Sequence, residues 1–293
     1  MNPHPRIHRA LLARLIPGLI GLVLLAGCST RDDVVGGNQA GDRQPRSIAA
    51  DAPWNRYPAA FTFTSDDNDV ANLAWAEVAR RRGVRFTIFT VSDWVGWPNK
   101  LTWDDLGRLH DQGFEIGGHG VSHRRMTELD DETLDHELRE CRASLERNLH
   151  RPGYTCEVFA YPYHNHDARV MAAASEYYLA ARDGGQSSAG WPDFSQGSPV
   201  WGSIALYEVP TVVTIASLVE ANSLSEEATR AAVRARLGDW KERHFWVNVY
   251  AHNQKEVDTQ HFAWILEELI ADGGFWIAPF GEVAQYYREM SED

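Results

Sequence analysis

Basic residues are in short supply in this chain: 28 Lys and Arg stand against 41 Asp and Glu, a formal net charge of −13. That deficit argues against nucleic acid or an anionic membrane surface as a partner, because basic patches supply that attraction. Cysteine is scarce too, with three in 293 residues, which leaves room for one disulfide at most. Leu15 to Leu25 is a sustained apolar run, but Pro17-Gly18 interrupts it and it is short for a bilayer span. No internal repeat stands out. What is present is 44% apolar residues with scattered aromatics. That is the composition of a globular chain, long enough for one large domain or two small ones.

Arg6, Arg9 and Arg14 precede the apolar run, and Leu25-Ala26-Gly27-Cys28 closes it with small residues. This resembles a bacterial lipoprotein signal over residues 1–27, with Cys28 lipidated as the mature N-terminus. An ordinary secretory signal that happens to contain Cys is the rival. Ser29 after the Cys leans, by resemblance, towards the outer membrane, with an inner-membrane anchor the alternative. The expected location is the bacterial cell envelope, lipid-anchored. Residues 28–53 are polar and rich in Gly, Asp, Arg and Gln, and read as a tether. An exported chain meets an oxidising compartment, so Cys141 and Cys156 are free to pair, and sequence does not decide whether they do.

From residue 54 onward the pattern alternates strand and helix. Expected strands are Ala60–Thr64, Val84–Val91, Phe114–Gly117, Glu157–Tyr161, Tyr178–Ala181, Phe245–Tyr250 and Phe275–Ala278. Expected helices are Asp69–Arg82, Thr102–Gln112 with Thr102 as cap, Asp130–Leu149, Asp167–Ser175, Ser225–Arg243, Thr259–Asp272 and Phe280–Arg288. Ser187–Ser203 reads as a loop. Such alternation builds a parallel sheet with outer helices, and the count suits a barrel, complete or not, better than an open sheet. In that architecture functional residues sit where strands end.

Four strand ends carry polar residues: Asp66 and Asp67; His119 and His123; Tyr161-Pro162-Tyr163; and His252. Adjacent carboxylates repel, and a cation is the cheapest compensation. His119 and His123, four apart, would share one side of a helical turn. Two His and one carboxylate form a common catalytic zinc set that leaves a position open for water. Such an ion lowers the water's pKa, and the second carboxylate can act as general base. His252 could donate a proton to a leaving group. The bland alternatives are an N-cap pair for Asp66-Asp67 and surface imidazoles for the His pair.

These motifs resemble the NodB-type polysaccharide deacetylases, carbohydrate esterases with a deformed (β/α) barrel, over roughly Tyr57 to Tyr287. The family's Thr-Phe-Asp-Asp-Gly stands here as Thr64-Ser65-Asp66-Asp67-Asn68. Its His-x-x-x-His matches His119 and His123, its Pro-Tyr motif Phe159-Ala160-Tyr161-Pro162-Tyr163, and its late apolar-x-His motif Tyr250-Ala251-His252. The resemblance implies an α/β fold with residues 54–293 as one catalytic domain. It implies Asp67, His119 and His123 as metal ligands, with zinc the default and cobalt or nickel open. It makes Asp66 the base, His252 the acid, and the Tyr163 N–H an oxyanion donor. The implied substrate is an acetylated polysaccharide or oligosaccharide. Trp191 and Trp97, in loops, are the expected sugar-stacking residues.

Departures from the motifs are specific. Ser65 replaces Phe and Asn68 replaces Gly, though Asn tolerates left-handed backbone. The third motif's Arg, which would steady the base, is Ala160, although a Phe-Ala-Tyr-Pro-Tyr variant resembles deacetylases of extracellular poly-N-acetylglucosamine. The Asp expected to tune His252 has only Asp183 and Asp258 as candidates, and His164 and His166 read as polar rim. These gaps motivate one rival, a glycan-binding lipoprotein that has lost catalysis. Another keeps the chemistry on O-acetyl esters.

Overall fold

The computed structural model describes residues 57–184, 206–207, 209, 213–214, 225–243, 245–252 and 256–291. The signal, Cys28, the tether and the Ser187–Ser203 loop with Trp191 lie outside the described residues, as does the Asp258 side chain.

β1 (Ala59–Asp66) is the spine of the sheet, and every one of its residues is buried. A strand covered on both faces belongs to a parallel sheet with helices outside. β1 pairs in parallel with β7 (Trp246–His252) along its length, with β2 (Thr87–Thr90) at its C-terminal end and with β8 (Phe275–Ile277) at its start. Beyond β2 the sheet continues through β3 (Glu115–Gly118), β4 (Val158–Ala160) and β5 (Ala180–Arg182). On the other side β6 (Val213–Thr214), which the sequence pattern missed, follows β7. The sheet curls into the half-barrel of a deformed (β/α) barrel, and the described residues form a single domain.

Strand alternation divides the core in two. Phe61 and Phe63 face the helices: Phe63 meets Phe262 edge-on, and Phe262 stacks flat on Trp75 at 4.3 Å. Ala60, Phe89, Val158, Ala180 and Trp246 face inside the curl, where Phe280 and Tyr287 fill it from below.

Helix starts are written in the sequence as caps. Thr102 and Asp105 form a capping box ahead of α2 (Trp103–Asp111). Asp130, Asp167 and Ser225 each accept a backbone N–H, opening α3 (Asp131–Leu149), α4 (Ala168–Ser175) and α5 (Glu226–Glu242). Each such cap is worth about 1 kcal/mol. These four residues precede the helices they start. α1 (Asn72–Arg81) begins three residues later than the pattern suggests, after a turn held by the Asp69 carboxylate. α6 (Glu256–Asp272) begins three residues earlier. Cys141 and Cys156 are buried free thiols, aimed at different carbonyls, those of Thr90 and Val158.

The closing helix α7 (Phe280–Ser291) docks its N-terminus on β2 and β3. The Phe280 N–H donates to Thr87 Oγ1 at 2.8 Å and the Gly281 N–H to Glu115 Oε2 at 2.9 Å, while Thr87 Oγ1 donates to the same carboxylate at 2.6 Å. Gly281 has no alternative, since a Cβ there would lie 2.0 Å from Glu115 Oε1. Burial pushes the Glu115 carboxyl up to about 7, against its hydrogen bonds and with help from Glu157 and Glu282. The folded state therefore keeps a proton that the unfolded chain has released by pH 6. This contribution is present below the ordinary Glu value and is lost as pH rises through about 7, a difference of about 3 kcal/mol. The expected outcome is a melting temperature that falls from pH 5 to pH 8 in the natural chain and falls less in Glu115→Gln. Parallel curves by differential scanning calorimetry would contradict it.

A candidate metal centre at the strand ends

Two carboxylates leave β1 and part company. Asp67 (φ 69°) and Asn68 (φ 40°) both turn left-handed, a conformation that Asp and Asn bear better than most residues. Asn68 Oδ1 accepts the Val91 N–H at 3.1 Å, and its carbonyl accepts the Leu101 N–H at 2.9 Å. Asn therefore holds the turn where the resembled motif has Gly, and the turn sends the Asp67 and Asp66 side chains to different partners.

Asp67 meets the histidines. Its Oδ1 lies 3.7 Å from His119 Nε2 and 3.5 Å from His123 Nε2, and the three ligand atoms all fall within 4.8 Å of one another. The convergence is not helical, contrary to the spacing argument. Residues 119–123 form a loop in which Gly120 (φ 80°) and His123 (φ 58°) are left-handed. Glu137, buried on α3, shapes that loop by accepting the Val121 and Ser122 N–H groups at 2.8 and 3.0 Å. His119 is fixed from both sides. Its N–H donates to the Thr90 carbonyl, and Nδ1 sits 2.7 Å from the Ala160 carbonyl. A carbonyl accepts only, so Nδ1 carries the proton and Nε2 presents a lone pair. Burial pushes the His119 pKa down to about 4, so its imidazole is neutral across the physiological range.

The donor set fits a divalent cation. Asp67 Oδ1 is buried with no hydrogen-bond donor, and two imidazole nitrogens face it. Tetrahedral ligands on bonds of ~2.1 Å stand roughly 3.4 Å apart, close to the separations here.

Asp66, fully buried, goes to Arg182 at the end of β5. Arg182 Nη2 donates to Oδ1 at 2.7 Å and to Oδ2 at 2.6 Å. Burial alone would raise the Asp66 pKa. Arg182 first, then His119 and His252, outweigh it and hold the carboxyl below its ordinary value. The guanidinium lies over the rings of Phe89 at 5.2 Å and Tyr250 at 4.8 Å. This corrects the expectation that the base has no arginine. Ala160 and Arg182 are direct partners in the β4–β5 register, so the arginine stands one strand over at the same height. Sequence reasoning missed it by comparing position 160 with a motif. The signal was a charged residue at the end of a short apolar strand, the same rule that picked out Asp66.

The remaining expectations fare unevenly. His252 Nε2 is 3.9 Å from Asp67 Oδ2, at the edge of the centre and 46% exposed. Asp183 lies 3.9 Å from His166 Nδ1. Tyr163 is left-handed (φ 56°), and its ring lies 4.5 Å from that of His123. The turn there is closed by the N–H groups of His164 and Asn165, so that of Tyr163 is not used in it. His164 and His166 are half-buried rather than on an open rim. His164 Nε2 sits 3.1 Å from the Tyr250 hydroxyl, and its ring occupies the space a Cβ on residue 184 would need. His166 stacks on Tyr161 at 4.7 Å. Trp97 is exposed and stacks on Trp94, and it is Trp94, not singled out for substrate contact by the sequence, that contacts His123 at 4.9 Å.

Residues 57–181 match the family described as polysaccharide deacetylase. No curated protein matches the chain by sequence. A family 4 carbohydrate esterase from Streptomyces lividans shares its fold at a TM-score of 0.51 and 18% identity, over 75% of this chain and 91% of that one. A mutant of the peptidoglycan deacetylase PdaC from Bacillus subtilis gives 0.53 and 16%, over 82% and 96%. A family 4 pseudoenzyme from Bacillus anthracis gives 0.54 and 13%, over 77% and 65%. Identities this low speak for the fold alone. The family match covers the stretch that holds Asp66, Asp67, His119, His123 and Tyr163, and it supports a polysaccharide deacetylase domain of the NodB type there.

Proposed function

We propose that this protein is a divalent-metal-dependent hydrolase that removes acetyl groups from N-acetylated sugars of an envelope or extracellular polysaccharide. The observation that carries this reading is the convergence of Asp67, His119 and His123 beside an ionised, buried Asp66. The ion they would hold, zinc by donor chemistry with cobalt or nickel as rivals, supplies Lewis acidity and lowers the pKa of a coordinated water.

The residues divide the remaining work. Asp66 takes the proton of the attacking water as the new C–O bond forms. Arg182 keeps that carboxylate ionised and aimed. The N–H of Tyr163, held by its left-handed backbone, donates to the oxygen that gains charge. His252 delivers a proton to the nitrogen as the C–N bond breaks, so acetate and a free amine leave. An acyl chain on Cys28 would keep this activity at a membrane surface of the cell envelope.

The rival reading of a catalytically dead binder drew on the missing arginine and on the unplaced aspartate that would tune His252, and Arg182 answers the first of these. Acetate release from N-acetylglucosamine oligomers tests the proposal, with O-acetylated oligomers assayed alongside. Chelation is expected to abolish release and added zinc, cobalt or nickel to restore it. Asp66→Asn is expected to lower kcat by about 100-fold or more. Full activity in that variant would sink the assignment.

The transposed arginine has its own test. In Arg182→Ala the buried Asp66 loses its counter-charge while burial remains, so its pKa rises. The acid limb of the kcat–pH profile is expected to move to higher pH, with kcat at neutral pH falling by about tenfold or more. Adding Ala160→Arg to that variant is expected to move the limb back. An acid limb unmoved by Arg182→Ala, in protein whose circular dichroism is unchanged, would refute the role.

A further inference from the structure

The rim around the centre carries two cations, Lys100 and Arg125, in a chain whose net charge is −13. On one side Lys100 Nζ sits 4.9 Å over the Trp94 ring, and Trp94 contacts His123 and stacks on Trp97. On the other, the Arg125 guanidinium sits 4.9 Å over the Tyr163 ring, which contacts His123 from its own side. Each cation is thus one aromatic ring away from a candidate ligand. Trp97 and Tyr163 are 55% and 54% exposed, and no other exposed aromatic residue is found among the described residues. Both belong to this rim.

The cations have little else to do. Lys100 forms no ion pair among the described residues, and Asp93, the acid of its own loop, is exposed and unpaired with it. Arg125 has one carboxylate within reach, Glu128, at 4.0 Å with both side chains exposed, a contact too long and too wet to occupy it. A protein of net charge −13 gains nothing in solubility from two cations here. Rings that lie open beside a reaction centre offer stacking faces to sugars. Cations at the far edge of those rings offer charge complementarity to whatever flanks the sugar that reacts.

We propose that the polymer this enzyme deacetylates is anionic, with carboxylate-bearing sugars next to the acetylated one, read by Lys100 and Arg125 across Trp94 and Tyr163. The inference rests on the deacetylase reading and narrows its substrate. It also has a chemical consequence. Each turnover leaves an ammonium on the polymer, which the same two cations repel, so a stretch already deacetylated is released rather than held.

The test is binding to the metal-loaded full chain, followed by tryptophan fluorescence. The probes are a tetrasaccharide alternating N-acetylglucosamine with glucuronic acid and the same tetrasaccharide with its carboxyl groups reduced to alcohols. The charged form is expected to bind about tenfold more tightly at low salt, the scale of two exposed charge pairs. That ratio is expected to fall towards one in the Lys100→Met, Arg125→Met double variant and at ionic strength on the order of 1 M, where screening is short-ranged. Equal affinity for the two forms, or a preference that survives the double variant, would overturn the proposal. Acetate release, measured in parallel, separates the two readings. Turnover of the reduced form without charge preference in binding removes this inference and keeps the deacetylase. Charge-selective binding without turnover supports the rim and removes the deacetylase.

Discussion

Asp67 Oδ1 and the Nε2 atoms of His119 and His123 face one another, and Asp67 Oδ1 receives no hydrogen bond. Left alone, that arrangement is unfavourable, because each atom seeks a positive partner. Much of the surrounding structure serves to maintain it. The Ala160 carbonyl dictates which His119 nitrogen is bare. Glu137 ties down the loop that delivers His123. Of the non-glycine residues that are left-handed, Asp67, Asn68, His123, Tyr163 and His164 all stand at this centre. Backbone strain of this kind persists only where neighbours over-determine it, and it concentrates at sites of function.

Beside those atoms sits a second arrangement with the opposite logic. Asp66 is buried and would become neutral if burial alone acted on it. One guanidinium reverses that outcome. Arg182 is itself costly to bury, and two ring faces, Phe89 and Tyr250, line its slot in place of water. The pair is interdependent: removing either partner strands a buried charge, which typically costs 3–5 kcal/mol. Asp66 ends β1 and Arg182 ends β5, two strands of one parallel sheet with β2, β3 and β4 between them, so the pair closes across the curl rather than between neighbours.

Much of this was legible in the sequence because strand alternation and caps are local. β1 reads as a buried strand from Phe61, Thr62 and Phe63 alone, and Thr102, Asp130, Asp167 and Ser225 announce their helices. The candidate ligands were legible because each stands where a strand stops. Three things were not. The His119–His123 spacing suggests a helical turn, but two left-handed residues decide the path, and Gly120 alone hints at it. Glu137 is one acid among many on α3 until the loop folds over it. Arg182 acts through register, and register is a property of paired strands rather than of any one segment.

That last point bears on how a departure from a motif should be weighed. Ala160 in place of arginine reads as damage when position 160 is considered alone. In the sheet, Ala160 and Arg182 are lateral partners, and a methyl group at 160 leaves room for a guanidinium arriving from 182. What the chemistry requires is a positive charge within hydrogen-bonding distance of Asp66, at the height of the strand ends, in a dry slot. Either strand can supply it. The constraint therefore acts on a volume of space rather than on a residue number, and a substitution there counts as a loss only when no neighbouring strand fills the same volume.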